Sequence, residues 1–594
     1  MKKLSAVALV VGLATAACSG QGGGGAVPPI GSQPQASAVG AGNSRAAKSV
    51  AAAPSGWAST ATQSVGLLNA SDLGAVSGSK PMTVRLGLQM RNADALKSLV
   101  ASGQTIDQSA LATQYGPTQA QVASVTSYLQ SQGFTNVSVE PNNLLVSADA
   151  TAAVVQKAFN TTIHSFTQNG ATVLANVAPA YVPQSLSGTV VAVLGLNTAQ
   201  MMKPKPQLKP TACIKSVNTP VAPTCVRFYD PATFQITYDA GNTPSGSNTA
   251  VAIMAEGNVN SSIADLRVNE SHFNLPQVPV NVVPVGLPST DTAGADEWTL
   301  DMTYSSGIAG NLKALYLYDT TSLTDSDIAL EYNKWVTQHR TNIGNSSFGG
   351  CEFGPYLDGS MLVDDEILLE GAAQGQTMFV STGDSGGFCG VGVPNGVPAG
   401  APFVEYPAAS PYVVAVGGTD LFSNADGTYK GENSWEAGGG GLSQFEYSPY
   451  WEASEQPVSA QGQNFRGLPD VAMDASLESG ALLYTSGSAV NGSCTPCTSG
   501  GTSLASPLAA GVFARLQTAH HNTLGFAPPL FYNNYHAHAA PGTALLGPPP
   551  TQPIGGFHDV LTGSNVTYSA LPRYDYTTGL GSFDISIANA QIGQ

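Results

Sequence analysis

The sequence predicts an α/β fold in which a mostly parallel sheet has helices on both faces, preceded by a smaller α+β domain. From about residue 225 onward, short β-rich runs alternate with helical stretches, which is typical of parallel strands joined by covering helices. Between residues 80 and 200 a second, shorter series of strand and helix patterns occurs. The Pro- and Lys-rich segment 201–224 has little periodicity and separates the two series, so we predict a linker with a processing site there.

The N-terminus has the pattern of an export signal. Lys2 and Lys3 precede an apolar run, Ala6 to Ala17, that is too short to span a bilayer as a mature helix. Residues 1–18 are therefore predicted to be a signal peptide. The last four of them, Thr-Ala-Ala-Cys, are similar to a bacterial lipobox whose cysteine, here Cys18, becomes lipidated. Secretion and a lipid anchor at the bacterial cell surface both remain open.

Residues 19–75 are rich in Gly, Ala, Ser, Pro and Gln and are predicted to be a flexible low-complexity tether. Residues 76–200 follow as the small domain. Its predicted elements are a strand at Thr83–Met90, a helix at Ala93–Ala101, a helix from Thr118 through Leu129 that ends at Gly133, strands at Val137–Val139 and Leu144–Val146, and a helix at Ala150–Phe159. This region has no nucleophile or acid/base constellation, which favours a propeptide or a targeting module.

Residues 225–594 carry the larger α/β pattern. The predicted strands are Ala250–Ala255, Val280–Val285, Ala314–Tyr318, Thr377–Ser381 and Tyr412–Val416, and the predicted helices are Glu297–Ser305, Ser326–Gln338 and Leu362–Gln374.

The composition argues against nucleic-acid binding and is compatible with an acidic environment. Lys and Arg number 22 against 39 Asp and Glu, giving a net charge of −17, which argues against nucleic acid because phosphate contacts need clustered cations. Only 10% of residues are charged, so acid generates little internal repulsion.

The cysteines fit an exported protein. Of seven, Cys18 belongs to the signal region, and the other six allow 15 disulfide connectivities. Proximity in sequence favours Cys213 with Cys225 and Cys494 with Cys497, which leaves Cys351 with Cys389. A metal site at Cys494 and Cys497 is the weaker alternative, because no second such pair accompanies them.

Three short segments carry the chemistry. Glu297 and Asp301 are four residues apart on a predicted helix and point to the same side. The apolar residues between and after them predict a buried helix, where paired carboxyls separate in pKa and share protons. Ser503, at the start of a small-residue helix, has the helix dipole and nearby N–H groups to stabilise negative charge. The alternatives are an ordinary N-cap serine and a solvated acidic face.

The third segment, Gly-Asp-Ser-Gly-Gly from Gly383, has the spelling of a trypsin-like nucleophile. None of the eight histidines lies in the Ala-Ala-His-Cys context that those enzymes need, and no His-Gly dipeptide supplies a subtilisin base. A histidine with a pKa near ~6.5 is protonated in acid, whereas a glutamate near ~4.3 can still accept a proton. We therefore assign the functional role in this segment to Asp384 rather than to Ser385. We also predict a hydrolase that is adapted to acid.

These residues resemble the sedolisin family, or serine-carboxyl peptidases, and in particular its kumamolisin-like members with an N-terminal pro-kumamolisin activation domain. The resemblance covers about residues 80–590 and rests on Glu-x-x-x-Asp, on Gly-Thr-Ser-x-x-x-Pro from Gly501, and on the aspartate after Ser-x-Gly. It implies a subtilisin-like three-layer α/β/α domain after a ferredoxin-like propeptide that blocks the cleft. It also implies Ser503 as nucleophile, Glu297 as base, Asp301 as orienter and protonated Asp384 in the oxyanion hole, with activity lost above roughly pH 5 to 6.

The resemblance also implies supporting and metal residues. Glu256 takes the place of a glutamate that extends the network in kumamolisin-like enzymes, and Phe348 stands where its tryptophan partner would be. One Ca²⁺ is implied near the C-terminus, with ligands at Asp559, Val560, Leu571, Arg573 and Asp575. The last two carbonyl positions, Leu571 and Arg573, are often glycine in the family.

The expected partners are protein or peptide substrates and the chain's own propeptide, which would act as an inhibitor. The expected oligomeric state is a monomer. The alternative is a catalytically inactive, sedolisin-like surface binding protein.

Overall fold

A computed structural model describes residues 53–67, 70–204, 207–210, 228–389, 402–456, 465–488, 492–539 and 552–593. The predicted signal peptide, Cys18, and the proposed pair Cys213 and Cys225 lie outside the described residues. No helix in the described ranges is long and apolar enough to cross a membrane.

The N-terminal region is built on a four-stranded antiparallel sheet. Its elements are β1 Trp57–Ser59, β2 Ala70–Ala75, β3 Pro81–Leu88, α1 Ala93–Ala101, α2 Gln108–Gln114, α3 Gln119–Gln132, β4 Thr135–Val139, β5 Leu145–Thr151, α4 Ala152–Ala158, β6 Ile163–Gln168, β7 Ala171–Asn176, β8 Tyr181–Pro183 and β9 Val190–Leu194. The sheet order β4-β5-β3-β9 is that of a ferredoxin-like fold, as predicted.

Local sequence explains the longest helix of this region. The Thr118 hydroxyl accepts the backbone N–H of Gln121, and the Gln121 side chain accepts the backbone N–H of Thr118, which forms a capping box. Gly133 ends the helix with a φ of 94°, a left-handed conformation that glycine adopts without strain. Val122, Val125 and Leu129 face the sheet and join a hydrophobic core that belongs to this region alone.

The predicted tether extends too far along the chain. Two parts of it form strands, Trp57–Ser59 and Ala70–Ala75, since β1 pairs with β8 and β2 pairs with β6. Val65 and Leu67 are buried, and the Thr60 hydroxyl donates to the Ala180 carbonyl. Small and polar residues hid this segment, because they give no alternating apolar pattern.

The C-terminal region contains the larger sheet. Its elements are β10 Lys203–Pro204, β11 Gln207–Pro210, α5 Pro231–Thr237, β12 Gly246–Glu256, α6 Asn260–His272, β13 Val280–Val285, α7 Ala295–Ala309, β14 Leu312–Thr320, α8 Asp325–Gln338, β15 Ile343–Ser346, β16 Phe348–Cys351, α9 Phe353–Asp358, α10 Ser360–Ala373, β17 Thr377–Ser381, β18 Glu405–Tyr406, β19 Val414–Ser423, β20 Tyr429–Ser434, β21 Gly441–Tyr447, α11 Tyr450–Ala453, β22 Phe465–Leu468, β23 Val471–Asp474, β24 Ala481–Ser488, β25 Gly492–Gly500, α12 Thr502–Ala519, α13 Ala527–His538, β26 Phe557–His558, β27 Ser582–Phe583 and α14 Ile585–Gln591.

This sheet is mostly parallel and subtilase-like, as predicted. Its order is β13-β14-β12-β15-β17-β19-β20, with β23 also pairing with β19, and only the β19–β20 pair is antiparallel. The strands β15 and β17 are buried along their whole length, as expected for a sheet covered on both faces. Helices α7 and α12 pack against each other and against β12, and α8 packs against α10.

The predicted linker differs from expectation, because its described residues form strands. β10 pairs with β16, placing Lys203 opposite Gly349, and β11 pairs with β25, placing Gln207 opposite Gly500. Sequence periodicity could not reveal these strands, since free edges of the larger region provide the hydrogen-bonding partners.

The two regions pack into one compact unit, Ala52–Gln594. Met90, Leu96 and Leu111 of the N-terminal region join the hydrophobic core of the larger region. Polar contacts surround this interface: Arg85 Nη1 lies 2.9 Å from Asp327 Oδ1, and the backbone N–H of Met90 donates to Glu366 over 2.8 Å.

Of the predicted disulfides, Cys351–Cys389 is present, with Cα atoms 5.1 Å apart. Cys497 is disulfide-bonded as well, but the side chain of Cys494 lies outside the described residues, so that pairing stays a prediction.

Candidate active site

Helix α7 carries the two carboxyls. It follows Gly294, places Glu297 in its first turn and Asp301 one turn later, and is buried along its whole length. The solvated-face alternative is therefore wrong. The N-terminal position of Glu297 also exposes its carboxyl to the positive end of the helix dipole.

Burial dominates the electrostatics of Glu297. It raises the pKa of this carboxyl well above its ordinary value, and the charge of Asp301 raises it further. The neighbouring Ser503 hydroxyl opposes the rise, while Asp384 and Asp296 add to it. Apart from this interaction with the Ser503 hydroxyl, neither carboxyl oxygen of Glu297 has a hydrogen-bond partner within the described residues, which leaves the carboxyl available to the serine.

Asp301 is equally buried but partly satisfied. Its Oδ1 accepts a hydrogen bond of 2.7 Å from the Ser347 hydroxyl. Burial raises the pKa of Asp301 well above its ordinary value, and the Ser347 hydroxyl and the neighbouring Asn345 side-chain amide oppose that rise. The two carboxyls of α7 therefore differ in environment, which suits different roles.

Ser503 lies in the first turn of α12 and is 4% exposed. The preceding Gly501 has a φ of 94°, and a Cβ built there would lie 2.6 Å from Asp384 Oδ2. Glycine is thus required twice at this position, by its conformation and by the close approach of the carboxyl.

Asp384 follows β17 and is half-buried next to the first turn of α12. Its Oδ1 accepts the Thr502 backbone N–H over 2.8 Å and the Thr502 hydroxyl over 3.0 Å. Its Oδ2 accepts the Gln207 side-chain amide of β11 over 3.4 Å. The structure thus brings together all four predicted catalytic residues, with Asp384 fixed to the residue immediately before Ser503.

Glu256 lies next to helix α7, but its carboxyl has other neighbours. Its carboxyl has no hydrogen bond to Glu297 or Asp301 within the described contacts, and burial together with the charges of Asp291 and Asp319 raises its pKa to about 7. Its backbone carbonyl accepts the Trp298 indole N–H over 2.9 Å. Phe348 packs edge to face on Trp298 with ring centroids 6.3 Å apart, and its ring has no donor to extend a network.

The predicted calcium residues lie in one C-terminal loop region. Asp559 Oδ2 accepts the Arg573 N–H over 2.7 Å, and Asp575 Oδ2 accepts the Leu571 N–H over 2.9 Å. Burial raises the pKa of Asp559 to about 7, and the charge of Asp575 contributes to this rise. Arg573 has a φ of 72°, so this residue adopts the conformation that a glycine would.

Within the described residues no group of three or more His, Cys, Asp or Glu side chains forms a metal cluster. The residues nevertheless fit a hard cation in kind, because two neighbouring carboxyls repel each other in a loop that also offers main-chain carbonyls.

Sequence reasoning missed Asn345, Ser347 and Thr502 as contributors to the site. All three are buried polar residues that contact a candidate catalytic carboxyl or its partner. The available signal was the small polar run Asn-Ser-Ser directly at the end of the buried strand β15, where side chains of a parallel sheet converge on the site.

Comparisons with known proteins match both regions of the chain to known families. Residues 69–199 match the Pro-kumamolisin activation domain, and residues 246–530 match the Subtilase family. The chain is 35% identical over 503 residues to sedolisin of Pseudomonas sp. (strain 101), covering 81% of this chain and 80% of that protein. It is 34% identical over 575 residues to xanthomonalisin of Xanthomonas sp. (strain T-22), covering 87% of this chain but 66% of that protein, just under two thirds of its length.

A solved structure is also similar: Pseudomonas sedolisin, a serine-carboxyl proteinase complexed with two molecules of pseudo-iodotyrostatin, has a TM-score of 0.54 and 32% identity, covering 61% of this chain and 98% of that one. Fold and site together define a serine-type peptidase domain behind an activation domain. The identity over most of both chains shows that this chain belongs to the sedolisin family.

Proposed function

We propose that the chain is the self-processing precursor of an acid-active serine-carboxyl endopeptidase. The observation that carries this proposal is the cluster of Ser503 with two fully buried carboxyls, one of which interacts with that serine and has no other hydrogen-bond partner in the described residues, beside an aspartate bonded to Thr502. No histidine belongs to this cluster as described, so a carboxylate is the group available to take the serine proton.

In the proposed mechanism Ser503 Oγ attacks the peptide carbonyl carbon while Glu297 accepts the hydroxyl proton. Asp301 orients Glu297 and its negative charge makes Glu297 a stronger base. Protonated Asp384 donates a hydrogen bond to the tetrahedral oxyanion. Glu297 then gives its proton to the leaving amine, and water hydrolyses the acyl-enzyme by the same steps in reverse. Because Asp384 must carry a proton, activity falls as the pH rises.

The N-terminal region and linker would act as an intramolecular inhibitor. We propose residues 76–200 as the activation domain and 201–224 as the processing segment, followed by the peptidase domain from 225. The pairing of β10 and β11 with edges beside the site supports this, since a peptide bound there excludes substrate. The Gln207 amide also occupies Asp384 Oδ2, which in the precursor accepts a hydrogen bond rather than donating one.

A signal peptide at residues 1–18 would export the precursor, either free or held at the cell surface through Cys18. One Ca²⁺ would be held by the carboxylates of Asp559 and Asp575 and by the main-chain carbonyls of Val560, Leu571 and Arg573. This ion would stabilise the C-terminal loops and take no part in the chemistry.

The test is incubation of purified precursor, wild type and Ser503→Ala, across pH 3 to 7, with fragment masses and peptide hydrolysis measured together. Cleavage within or near 201–224 and acid-dependent hydrolysis, both absent from the variant, are expected. An inert but folded wild-type precursor would favour the alternative, a catalytically inactive binding protein, or activation by another protease.

A further inference from the structure

A chain of hydrogen bonds joins the nucleophile's helix to the carboxyl helix. The Ser506 hydroxyl of α12 donates to Asn345 Oδ1 over 2.7 Å, and Asn345 Nδ2 donates to Ser347 Oγ over 3.1 Å. The Ser347 hydroxyl then donates to Asp301 Oδ1 over 2.7 Å. Ser506, Asn345 and Asp301 are fully buried and Ser347 is 1% exposed, so water does not substitute for any of these contacts.

The direction of these bonds is set by their chemistry. Ser347 Oγ accepts an N–H from Asn345, and its single hydrogen is therefore available to Asp301. Oδ1 of Asp301 is thereby committed to accepting. Its other oxygen, Oδ2, has no partner in the described residues and is the position at which Asp301 would hold a proton.

We propose that Ser347 is a positioning residue for the reaction: held by Asn345 and tied through Ser506 to the helix of Ser503, it fixes the orientation and proton-bearing oxygen of Asp301. This inference rests on the proposed roles of Glu297 and Asp301. Ser506 lies one turn after Ser503, so the same bridge sets the separation of nucleophile and carboxyl pair. The packing of α7 against α12 supplies the rest of that separation.

The Glu297–Asp301 pair loses its protons in two successive steps that belong to the pair and not to either residue alone. Two further carboxyls face it, Asp296 on α7 and Asp384 after β17, and both disfavour negative charge on Glu297. The Ser347 donor favours the singly ionised pair, in which one carboxylate is ready to accept the serine proton. Removing that donor therefore demands a higher pH before the pair can act.

The experiment compares Ser347→Ala with the matched control Ser346→Ala in the full-length chain. Ser346 is the adjacent buried serine, and its hydroxyl contacts the Tyr332 hydroxyl over 2.9 Å. After acid processing, kcat/KM on acid-denatured haemoglobin is measured from pH 2.5 to 7. The acid limb of Ser347→Ala should move up by about one pH unit, as expected for losing one hydrogen bond to a charged group. The limbs of Ser346→Ala and of Ser347→Thr, which keeps the hydroxyl, should stay at the wild-type position.

An unmoved acid limb in Ser347→Ala, or an equal shift in Ser346→Ala, overturns the inference. Should Ser347→Ala fail to fold, Ser506→Ala decides: a smaller shift in the same direction supports the bridge, and a wild-type limb overturns it. If the wild type is active and the acid limb of Ser347→Ala does not move, only this inference is overturned. A wild type inert at every pH defeats the proposed function and this inference with it.

Discussion

At the scale of single residues, the site separates three carboxyls by their surroundings. Glu297 is buried beside the Ser503 hydroxyl, Asp301 accepts a hydrogen bond from Ser347, and Asp384 accepts hydrogen bonds from Thr502 and from Gln207 of the linker. The same side-chain type can thus serve as base, orienter and oxyanion partner, because burial and hydrogen bonding determine which group holds a proton.

Substitution of Asp384 tests its assignment as a hydrogen-bond donor. Asp384→Asn retains an N–H donor at every pH, whereas Asp384→Ala removes the donor and should lower kcat by about 10²- to 10³-fold. We therefore expect Asp384→Asn to exceed Asp384→Ala in activity and to lose less of its activity towards neutral pH than wild type does. The measurement is kcat for peptide hydrolysis from pH 3 to 7. Equal losses in both variants would contradict the donor role.

Single residues also mark where sequence reasoning stopped. Glu297, Asp301, Asp384 and Ser503 were predictable from spacing and family resemblance, and the structure places them together. Ser347 was not, because a serine at a strand end is ordinary until the strand order brings it to α7. Glu256 shows the converse: its place in the sequence predicted a supporting role, yet the described contacts put its carboxyl among Asp291 and Asp319.

At the scale of elements, docking of the N-terminal region depends on a few polar contacts around an apolar centre. Arg85 on β3 reaches Asp327 and the Ser326 hydroxyl, whereas Arg91 bonds only carbonyls of its own region, at Gly116 and Thr113, among the described contacts. The two arginines therefore form a matched pair for asking what holds the inhibitor in place.

Arg85→Met should weaken retention of the cleaved N-terminal region. Loss of charge-assisted hydrogen bonds costs about 2 kcal/mol, roughly thirtyfold in the docking equilibrium. When acid-processed protein is serially diluted, the cleaved N-terminal region dissociates and activity appears. We expect Arg85→Met to become active at a protein concentration at least about tenfold above the one at which wild type does. Arg91→Met should behave as wild type, and identical dilution curves for Arg85→Met and wild type would show that the ion pair does not hold the inhibitor.

The C-terminal loops between β26 and β27 offer a second element-scale test. If Ca²⁺ binds there, a concentration 100 times its Kd should stabilise the folded protein by about 2.7 kcal/mol. The Tm of Ser503→Ala precursor should therefore be higher in Ca²⁺ than in EDTA. Asp559→Asn should abolish that difference, whereas Asp426→Asn, at an exposed turn that closes on Thr428, should preserve it. A wild-type Tm indifferent to Ca²⁺ would remove the ion from the proposal.

Helices and strands were predictable where their own residues carry a local sequence pattern. Helix α3 and the strands β13 and β17 were found from sequence with nearly their observed bounds. β10 and β11 were not, since Lys203–Pro204 and Gln207–Pro210 have no strand pattern and become strands through distant partners. Pairing with a strand that is distant in sequence does not require a hydrophobic periodicity in the paired segment, so the sequence pattern does not show it.

At the scale of the whole molecule, buried acids outside the active site adapt the fold to low pH. Glu352 accepts from the Ser443 hydroxyl and the Gln444 N–H, yet burial raises the pKa of this carboxyl to about 8. Burial likewise raises the pKa of Glu366 to about 7 and that of Glu370 to about 7, both where the N-terminal region docks. Burial of these carboxyls costs little free energy when they are protonated and much more when they are ionised.

The stability of the precursor should therefore fall as the pH rises. A carboxyl whose folded pKa exceeds its unfolded value of 4.5 binds more protons when folded, so its contribution is complete below about pH 4.5 and is lost as the pH rises through 7 to 8. Calorimetry on Ser503→Ala precursor should show a Tm lower at pH 8 than at pH 4.5 by on the order of 5 °C. Glu352→Gln, which cannot ionise, should flatten this slope, while the exposed-site control Asp426→Asn should not. A Tm that rises towards pH 8 would mean that ionised carboxylates, and not protonated ones, stabilise this fold.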